Sequence, residues 1–250
     1  MDNGKWIMKY MNCRILILAL MAASLCAVAA EPEYRVKSYP DGGVQYDGFF
    51  IGDNPVEITR YYPNGRIQSV QKFNADGSSS INMYSEGATP LAVGWYDNEK
   101  RRTGHWEFYV DGGNTIMKTD YKEGMKDGVT VLYFKDGAVM DSINYKADKL
   151  DGERTQFFQN GRKLAVINYK NGVPDGSYIS YFDDGSIDRS GNYKDGLRDG
   201  VWLFYNADGS VDEYKFKNGK CRKYEDMLRK ENRDSETDPH IPEPTIDNMM

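Results

Sequence analysis

The sequence predicts an all-β protein, an elongated antiparallel β-hairpin repeat array, and three observations carry that prediction. First, the 24-residue stretch 127–150, DGVTVLYFKDGAVMDSINYKADKL, recurs as 151–174 and 175–198, with a shortened copy at 199–220. A fixed period of this size marks a repeat array. Second, each copy holds two short runs rich in β-branched and aromatic residues, VTVLYF (129–134) and AVMDSINY (138–145) in the lead copy, bounded by turn residues. Third, glycines recur too closely for a helix, at Gly128, Gly137, Gly152, Gly161, Gly176 and Gly185 in the first three copies. Each glycine inside a helix would cost about 1 kcal/mol.

Each unit follows the same plan. An Asp-Gly opens it, with the glycines at Gly128, Gly152, Gly176 and Gly200. A first strand runs to an aromatic column, Tyr109, Tyr133, Phe157, Tyr181 and Tyr205. A turn follows at Gly137, Gly161, Gly185 and Gly209, and a second strand then ends on Tyr145, Tyr169 and Tyr193. The junctions YKEGMKDG (121–128), YKNGVPDG (169–176) and YKDGLRDG (193–200) each carry a further glycine, which becomes Asp148 in YKADKLDG (145–152). Asp tolerates the left-handed region, so that turn should survive. One hairpin is marginal in water, so units must stack. Two strands per unit advance the array by roughly 10 Å.

Residues 1–30 stand apart. Lys5, Lys9 and Arg14 precede the apolar run ILILALMAASLCAVAA (15–30), which ends in the small residues Val28, Ala29 and Ala30. This reads as a secretory signal peptide cleaved after Ala30. The alternative is a retained anchor, although the run is shorter than a spanning helix requires. Cys26 raises a lipid-modified start, which Leu25 before it disfavours. The rest of the chain carries 29 basic and 37 acidic side chains, a net charge of −8. That balance disfavours nucleic acid and anionic lipid as partners. Cys221 is then the one remaining cysteine, so stability must come from packing and hydrogen bonds.

Residues 31–102 read as degenerate N-terminal repeats, with YPDGG (39–43), YYPNGR (61–66) and FNADGS (73–78) keeping the aromatic–turn grammar while insertions break the period. A separate small domain is the alternative. The regular repeats occupy 103–220. Within 221–250, Tyr224, Met227 and Leu228 have helical spacing, which predicts a short helix near 222–232 covering the last strand edge. From Asp234 onward the polar, Pro-rich, acidic composition predicts disorder.

The chemistry of an active site is missing from the pattern. His105 sits in a strand column otherwise filled by Val129, Glu153, Ser177 and Val201, and His240 lies in the tail. No Cys/His cluster has metal-ligand spacing and no phosphate-cradling glycine loop occurs. NADGSVD (206–212) suggests a calcium loop, but placing Gly209 at the sixth position puts Phe204 first and Lys215 twelfth, where acids are required. No catalytic, metal or cofactor residue is assigned. The aromatic column through Tyr133 and Tyr181 reads as a structural ladder, each pair worth about 0.2–1 kcal/mol. The column Trp106, Thr130, Arg154, Tyr178, Trp202 varies in chemistry while its neighbours hold. Trp, Tyr and Arg are the residue types of interface hot spots. Trp106, Arg154, Tyr178 and Trp202 are therefore the candidate partner-binding residues.

Written as G-x-W-x-x-Y-x-x-x-G-x(7)-Y-K-x-G, the unit resembles the variant MORN repeat. GVWLFYNADGS (200–210), with YKDGLRDG (193–200) before it, carries the likeness, which covers 103–220 well and 39–102 weakly. Chains of such repeats are similar to YwqK-family antitoxins of toxin–antitoxin systems. An antitoxin against an intracellular toxin would stay inside the cell, whereas the leader points outward. MORN repeats elsewhere are said to bind acidic phospholipids, which the negative balance disfavours here. The expected function is an exported, non-enzymatic scaffold in a bacterial cell envelope, periplasmic or outer, with a protein partner. The alternatives are an antitoxin-like protein and a glycan- or cell-wall-binding module in which Trp106, Tyr178 and Trp202 stack on sugar rings. A hydrolase within 31–102 is weaker, since that stretch has no His or Cys.

Overall fold

The computed structural model describes residues 30–110 and 114–234. The expected leader, up to residue 29, and the expected disordered tail, from 235, lie outside them. The first strands are β1 (Glu33–Ser38), β2 (Val44–Ile51), β3 (Asn54–Tyr61), β4 (Ile67–Phe73), β5 (Ser79–Tyr84) and β6 (Pro90–Tyr96). They are followed by β7 (Arg102–Tyr109), β8 (Thr115–Lys122), β9 (Met125–Tyr133), β10 (Val139–Lys146) and β11 (Lys149–Phe157). The last are β12 (Lys163–Lys170), β13 (Val173–Tyr181), β14 (Ile187–Lys194), β15 (Leu197–Tyr205) and β16 (Val211–Phe216). All lie in one open sheet, in sequence order, each antiparallel to the next. A helix, α1 (Arg222–Asp234), follows. The hairpin array expected over 103–220 is the observed fold, and no helix interrupts 127–216.

Two kinds of connection alternate in the regular part, and both are made by local chemistry. The five-residue kind follows the first strand of a unit. Phe134 N–H donates to the Ala138 carbonyl at 2.8 Å and Gly137 N–H to the Phe134 carbonyl at 2.9 Å. The second bond needs a left-handed residue, and Gly137 supplies it at φ +89. The two-residue kind joins units and needs positive φ at both positions. Asn171 and Gly172 adopt +51 and +91, and Ala147 and Asp148 adopt +47 and +63 in the unit that lacks the glycine. The Asp148 turn therefore forms as expected.

These inter-unit turns explain why the period holds at 24. The N–H of Gly172 donates back to the Leu150 carbonyl at 2.8 Å, and Gly196 to Pro174 likewise. The N–H of Ala147, Asn171 and Asp195 donate to carboxylates of Asp127, Asp151 and Asp175, each 20 residues earlier. The Asp that opens each of these three units thus caps the next turn. An inserted residue would pull the turn off both acceptors.

Strands β1–β6 belong to the same sheet. The five-residue bond pattern recurs at Tyr39, Tyr62, Ser85 and Phe134, and Val110 N–H donates to the Asn114 carbonyl, so the spacing there stays within a residue or so of the regular one. What obscured it in the sequence is the other connection. At 74–78 and 97–101 the two-residue turn is replaced by a second five-residue turn.

Helix α1 packs on the face of the sheet and not along its edge, as the sequence had suggested. Tyr224 meets Phe204, Tyr214 and Phe216 at ring-centroid distances of 5.3, 5.1 and 5.4 Å. Lys223 Nζ donates to the Glu213 carbonyl at 2.9 Å. The terminal strands have no further unit to cover their aromatic side chains, and α1 supplies that cover.

The turn carboxylates make acid stability predictable. Asp76, Asp184 and Asp208 sit below the ordinary carboxylate value because Ser78, Ser186 and Ser210 donate side-chain and backbone hydrogen bonds to them. Asp136 is lowered by Gln159 and by the Ala138 N–H. A depressed folded-state pKa contributes stability above the unfolded value and loses it as pH falls through the folded value. Melting temperature should therefore drop below about pH 4, the unfolded carboxylate range. Asn64 and Asn160 accept the same turn N–H without a charge. The double variant Asp184→Asn/Asp208→Asn should accordingly lose less on acidification. Melting temperatures that fall equally for both proteins between neutral pH and about pH 2.5 would remove this role.

Candidate interaction surface

The register sorts the strand residues onto two faces. One face is arranged in rows that run across the strands. Its central row runs Gly94, Trp106, Thr119, Thr130, Ile143, Arg154, Ile167, Tyr178, Gly191, Trp202 and Tyr214, with successive members paired or in contact across adjacent strands. Beside it Tyr96, Arg102, Tyr121, Lys126, Tyr145, Leu150, Tyr169, Pro174, Tyr193 and Arg198 alternate. We call this the aromatic face. Trp106 packs among Tyr96, Phe108 and Tyr121, and Trp202 among Tyr178, Tyr193 and Phe216. Arg102 lies over Trp106 at 4.9 Å and Arg198 over Trp202 at 4.8 Å. Such stacked cations stabilise by about 0.5–2 kcal/mol and seal the indoles from water.

This arrangement reverses the faces inferred from the sequence. Trp106 and Trp202 have 0% of their surface exposed and Arg154 has 6%, so the variable column is core. Tyr178 is half-buried, stacked on Trp202 at 5.3 Å. Of the four candidate residues, three have no surface to offer a partner. The supposed structural ladder, Tyr109, Tyr133, Phe157, Tyr181 and Tyr205, is half-buried on the opposite face.

The column varies because each member is fitted to the residue beside it on the preceding strand. A Cβ at Gly94 would lie 2.1 Å from Trp106, and one at Gly191 would lie 2.2 Å from Trp202. The indole N–H groups donate to the carbonyls of Trp95 at 3.1 Å and Asn192 at 3.0 Å. Between these ends the large residue shrinks as its neighbour grows. Thr119 hydrogen-bonds Thr130, Ile143 opposes Arg154, and Ile167 opposes Tyr178. A sequence signal for this existed: Gly94 and Gly191 fall off the turn spacing, in the column that holds Thr119, Ile143 and Ile167 elsewhere.

Arg154 is compensated inside the sheet. Its Nη2 is 2.7 Å from Asp141 Oδ2 and its Nε is 3.0 Å from the same oxygen, with both side chains under a tenth exposed. Burial pushes the Asp141 carboxyl up against the opposing pull of Arg154. Burial also opposes the Arg154 charge, yet Asp141 holds that guanidinium above its ordinary value. The two shifts point in opposite directions for the pair. The bidentate geometry decides for a charged pair whose desolvation consumes most of its attraction.

The accessible part of the aromatic face is the outer row. Tyr96, Tyr145, Tyr169 and Tyr193 are half-exposed, as is Lys126, and Arg102 is exposed. On the opposite face His105 lies 3.0 Å from Asp120, and Trp95 is 47% exposed. Among the described residues no group of three or more His, Cys, Asp or Glu could hold a metal ion, and no helix is long and apolar enough to cross a membrane.

With this geometry in view, the comparisons with known proteins are specific for two units. Residues 150–171 and 174–195 match the family model of the MORN repeat variant. The match covers these two units of the array. Such repeats generally serve as protein- and membrane-interaction modules, and their sheets are typical of non-enzymatic scaffolds. No curated protein matches the chain. The crystal structure of TcdB2-TccC3-Cdc42 aligns with 72% of this chain and 14% of that chain, at 10% identity and a TM-score of 0.19. A likeness that low carries nothing further.

Proposed function

We propose that this MORN-repeat chain is a non-enzymatic scaffold that binds another protein along its aromatic face, outside the cytoplasm of a bacterium. The observation that carries the reading is the ladder of half-exposed tyrosines, Tyr96, Tyr145, Tyr169 and Tyr193, on a face whose interior is already filled. Tyrosine offers large contact area at small entropic cost and is enriched in binding hot spots. Units advancing roughly 10 Å each present it at regular intervals along an extended surface. The basic, apolar and small-residue order of 1–30 supports export.

The test is site-specific photo-crosslinking. Benzoylphenylalanine placed at Tyr145 or Tyr169 should give a discrete cross-linked protein, while the same group at Val129, 43% exposed on the opposite face, should not. Cross-links from Val129 alone would assign the partner to the other face. Mass spectrometry of envelope fractions should find a mature N-terminus at Glu31. An intact chain in the cytosol would return the antitoxin-like reading. Retention on a glycan panel without a protein partner would favour the wall-binding alternative.

A further inference from the structure

The chain is acidic overall, but its aromatic face is not. Among the described residues the register places eight cations on this face: Arg35, Lys37, Arg60, Arg102, Lys126, Arg154, Arg189 and Arg198. Glu33 is engaged by Arg35, Asp141 by Arg154 and Asp212 by Asn206, and Asp188 is shared by Ser180 and Arg189. Among the described residues, Lys37, Arg60, Arg102 and Arg198 form no ion pair with a carboxylate, and Lys126 has the Asp148 carboxylate near it without pairing to it. Among the described residues the Lys37 side chain meets no hydrogen-bond partner, and Arg60 touches the amide oxygen of Gln71 at 3.3 Å. Arg102 meets Tyr121 Oη at 3.2 Å, and Lys126 lies over the Tyr145 ring at 5.0 Å. Burial lowers Lys126, with Asp148 at the turn rim opposing that effect and Arg102 adding to it. The negative charge lies elsewhere, on turns such as Asp41, Asp76, Asp136, Asp184 and Asp208, and on the opposite face at Asp47, Glu57, Glu107 and Asp120.

Two of the uncompensated cations meet in a cleft. Lys37 and Arg60, on β1 and β3, line a hollow of about 200 Å³ with Tyr39, Gln45, Tyr46 and Gln68. Every charged group lining it is positive. A guanidinium, an ammonium and two amides around such a volume suit a carboxylate, which an Arg fork binds through two parallel hydrogen bonds. The next cations, Arg102 and Lys126, lie on β7 and β9. From β3 to β7 is about 19 Å at the ordinary strand spacing, and the whole track from β1 to β9 is about 38 Å. Between the two pairs the described residues of the face carry no uncompensated charge: Ile58, Ile81 and Ala92 are buried there and Met83 is half-buried.

We propose that this track, from the Lys37–Arg60 cleft to the Arg102–Lys126 pair, binds an extended acidic segment of a partner protein, with carboxylates seated at the two cationic stations. The proposal rests on the scaffold reading above and names the chemistry of its partner. The sparse cations with uncharged gaps fit carboxylates interspersed with uncharged residues. A nucleic-acid strand carries a phosphate at every step, and its excess charge would face the acidic turns that border the track. At about 3.3 Å per residue, a track of about 38 Å takes about 12 extended residues.

The probe is therefore a fluorescein-labelled peptide of about 12 residues, repeating Glu-Gly-Val, titrated against the full chain by anisotropy beside its Lys-Gly-Val counterpart. The acidic peptide should bind and the basic one should not, with affinity falling as salt rises. Lys37→Gln/Arg60→Gln should weaken binding about tenfold or more, as expected for lost charge-assisted bonds. Lys37→Glu alone should do the same without changing the melting temperature, since the Lys37 side chain holds nothing in the fold. Lys72→Gln, on the opposite face beside Glu57, should leave binding unchanged. The proposal is overturned if the cleft variants bind as the parent does or if the basic peptide binds equally. It is also overturned if inorganic phosphate, oligothymidylate or phosphatidylglycerol vesicles bind in the peptide's place. Photo-cross-links from Tyr145 and Tyr169 that persist while the acidic peptide fails would leave the scaffold reading standing and remove this one. Peptide binding without any cross-linked protein would separate them the other way.

Discussion

Replacing Gly191 by Ile is expected to destabilise the protein by about 3 kcal/mol, because a side chain there must displace the indole of Trp202. The added Cβ alone would sit 2.2 Å from Trp202, and the ring cannot retreat, since its N–H is held by the Asn192 carbonyl and Arg198 lies over it. Trp202→Ala should cost about 3–5 kcal/mol by emptying the same space. The informative variant is the double one. Gly191→Ile with Trp202→Tyr installs the Ile–Tyr pair that Ile167 and Tyr178 already form one unit earlier. It should recover most of the loss, giving a coupling energy of about 2 kcal/mol in a thermodynamic cycle of urea melts. Additive losses would mean that the column is not fitted pairwise. Tyr181→Ala, on the opposite face, should cost only about 1 kcal/mol for a half-buried ring.

The second large effect is expected at the buried ion pair. Asp141→Ala leaves the Arg154 guanidinium enclosed without its counter-charge and should cost about 3–5 kcal/mol. Asp141→Ala/Arg154→Met removes both charges and should return to within about 1 kcal/mol of the parent, or exceed it, since buried pairs rarely outperform packed apolar residues. The repeat supplies its own precedent, with Met117 and Ala165 at the places corresponding to Asp141. Chemical denaturation of the three proteins at neutral pH checks this. A double variant as unstable as Asp141→Ala would show that the pair contributes more than it costs to bury.

The turn grammar was legible because turn residues act locally. Gly137 needs positive φ whatever lies around it, and Asp148 substitutes for glycine by its own backbone preference. The irregular stretch 31–102 was harder to read because two-residue turns had been exchanged for five-residue ones, which changes spacing without changing the sheet. The candidate site was misread for a different reason. Variation in the column Trp106, Thr130, Arg154, Tyr178, Trp202 has two explanations, a partner outside or a neighbour inside. The neighbours lie on the preceding strand across a bulged ladder, where spacing alone does not show which residue opposes which.

The whole-chain charge misled in a similar way. A net charge of −6 is a sum over residues, while binding responds to the charges that share a face. Lys37 and Arg60 are separated by all of β2 in the chain and meet at one cleft because β1, β2 and β3 pair in a particular register.

From the sequence alone follow the hairpin unit, its 24-residue period, the stacking of units and the closing helix, because backbone turns and strand propensities operate within a few residues. The tertiary structure alone decides which face is core. Side chains alternate along a strand, so shifting one strand by a single residue exchanges its two faces, and the bulge at each inter-unit step makes that shift. Glycine at 94 and 191 then lets the indoles lie flat on the sheet, which turns the most interface-like residues of the chain into its interior.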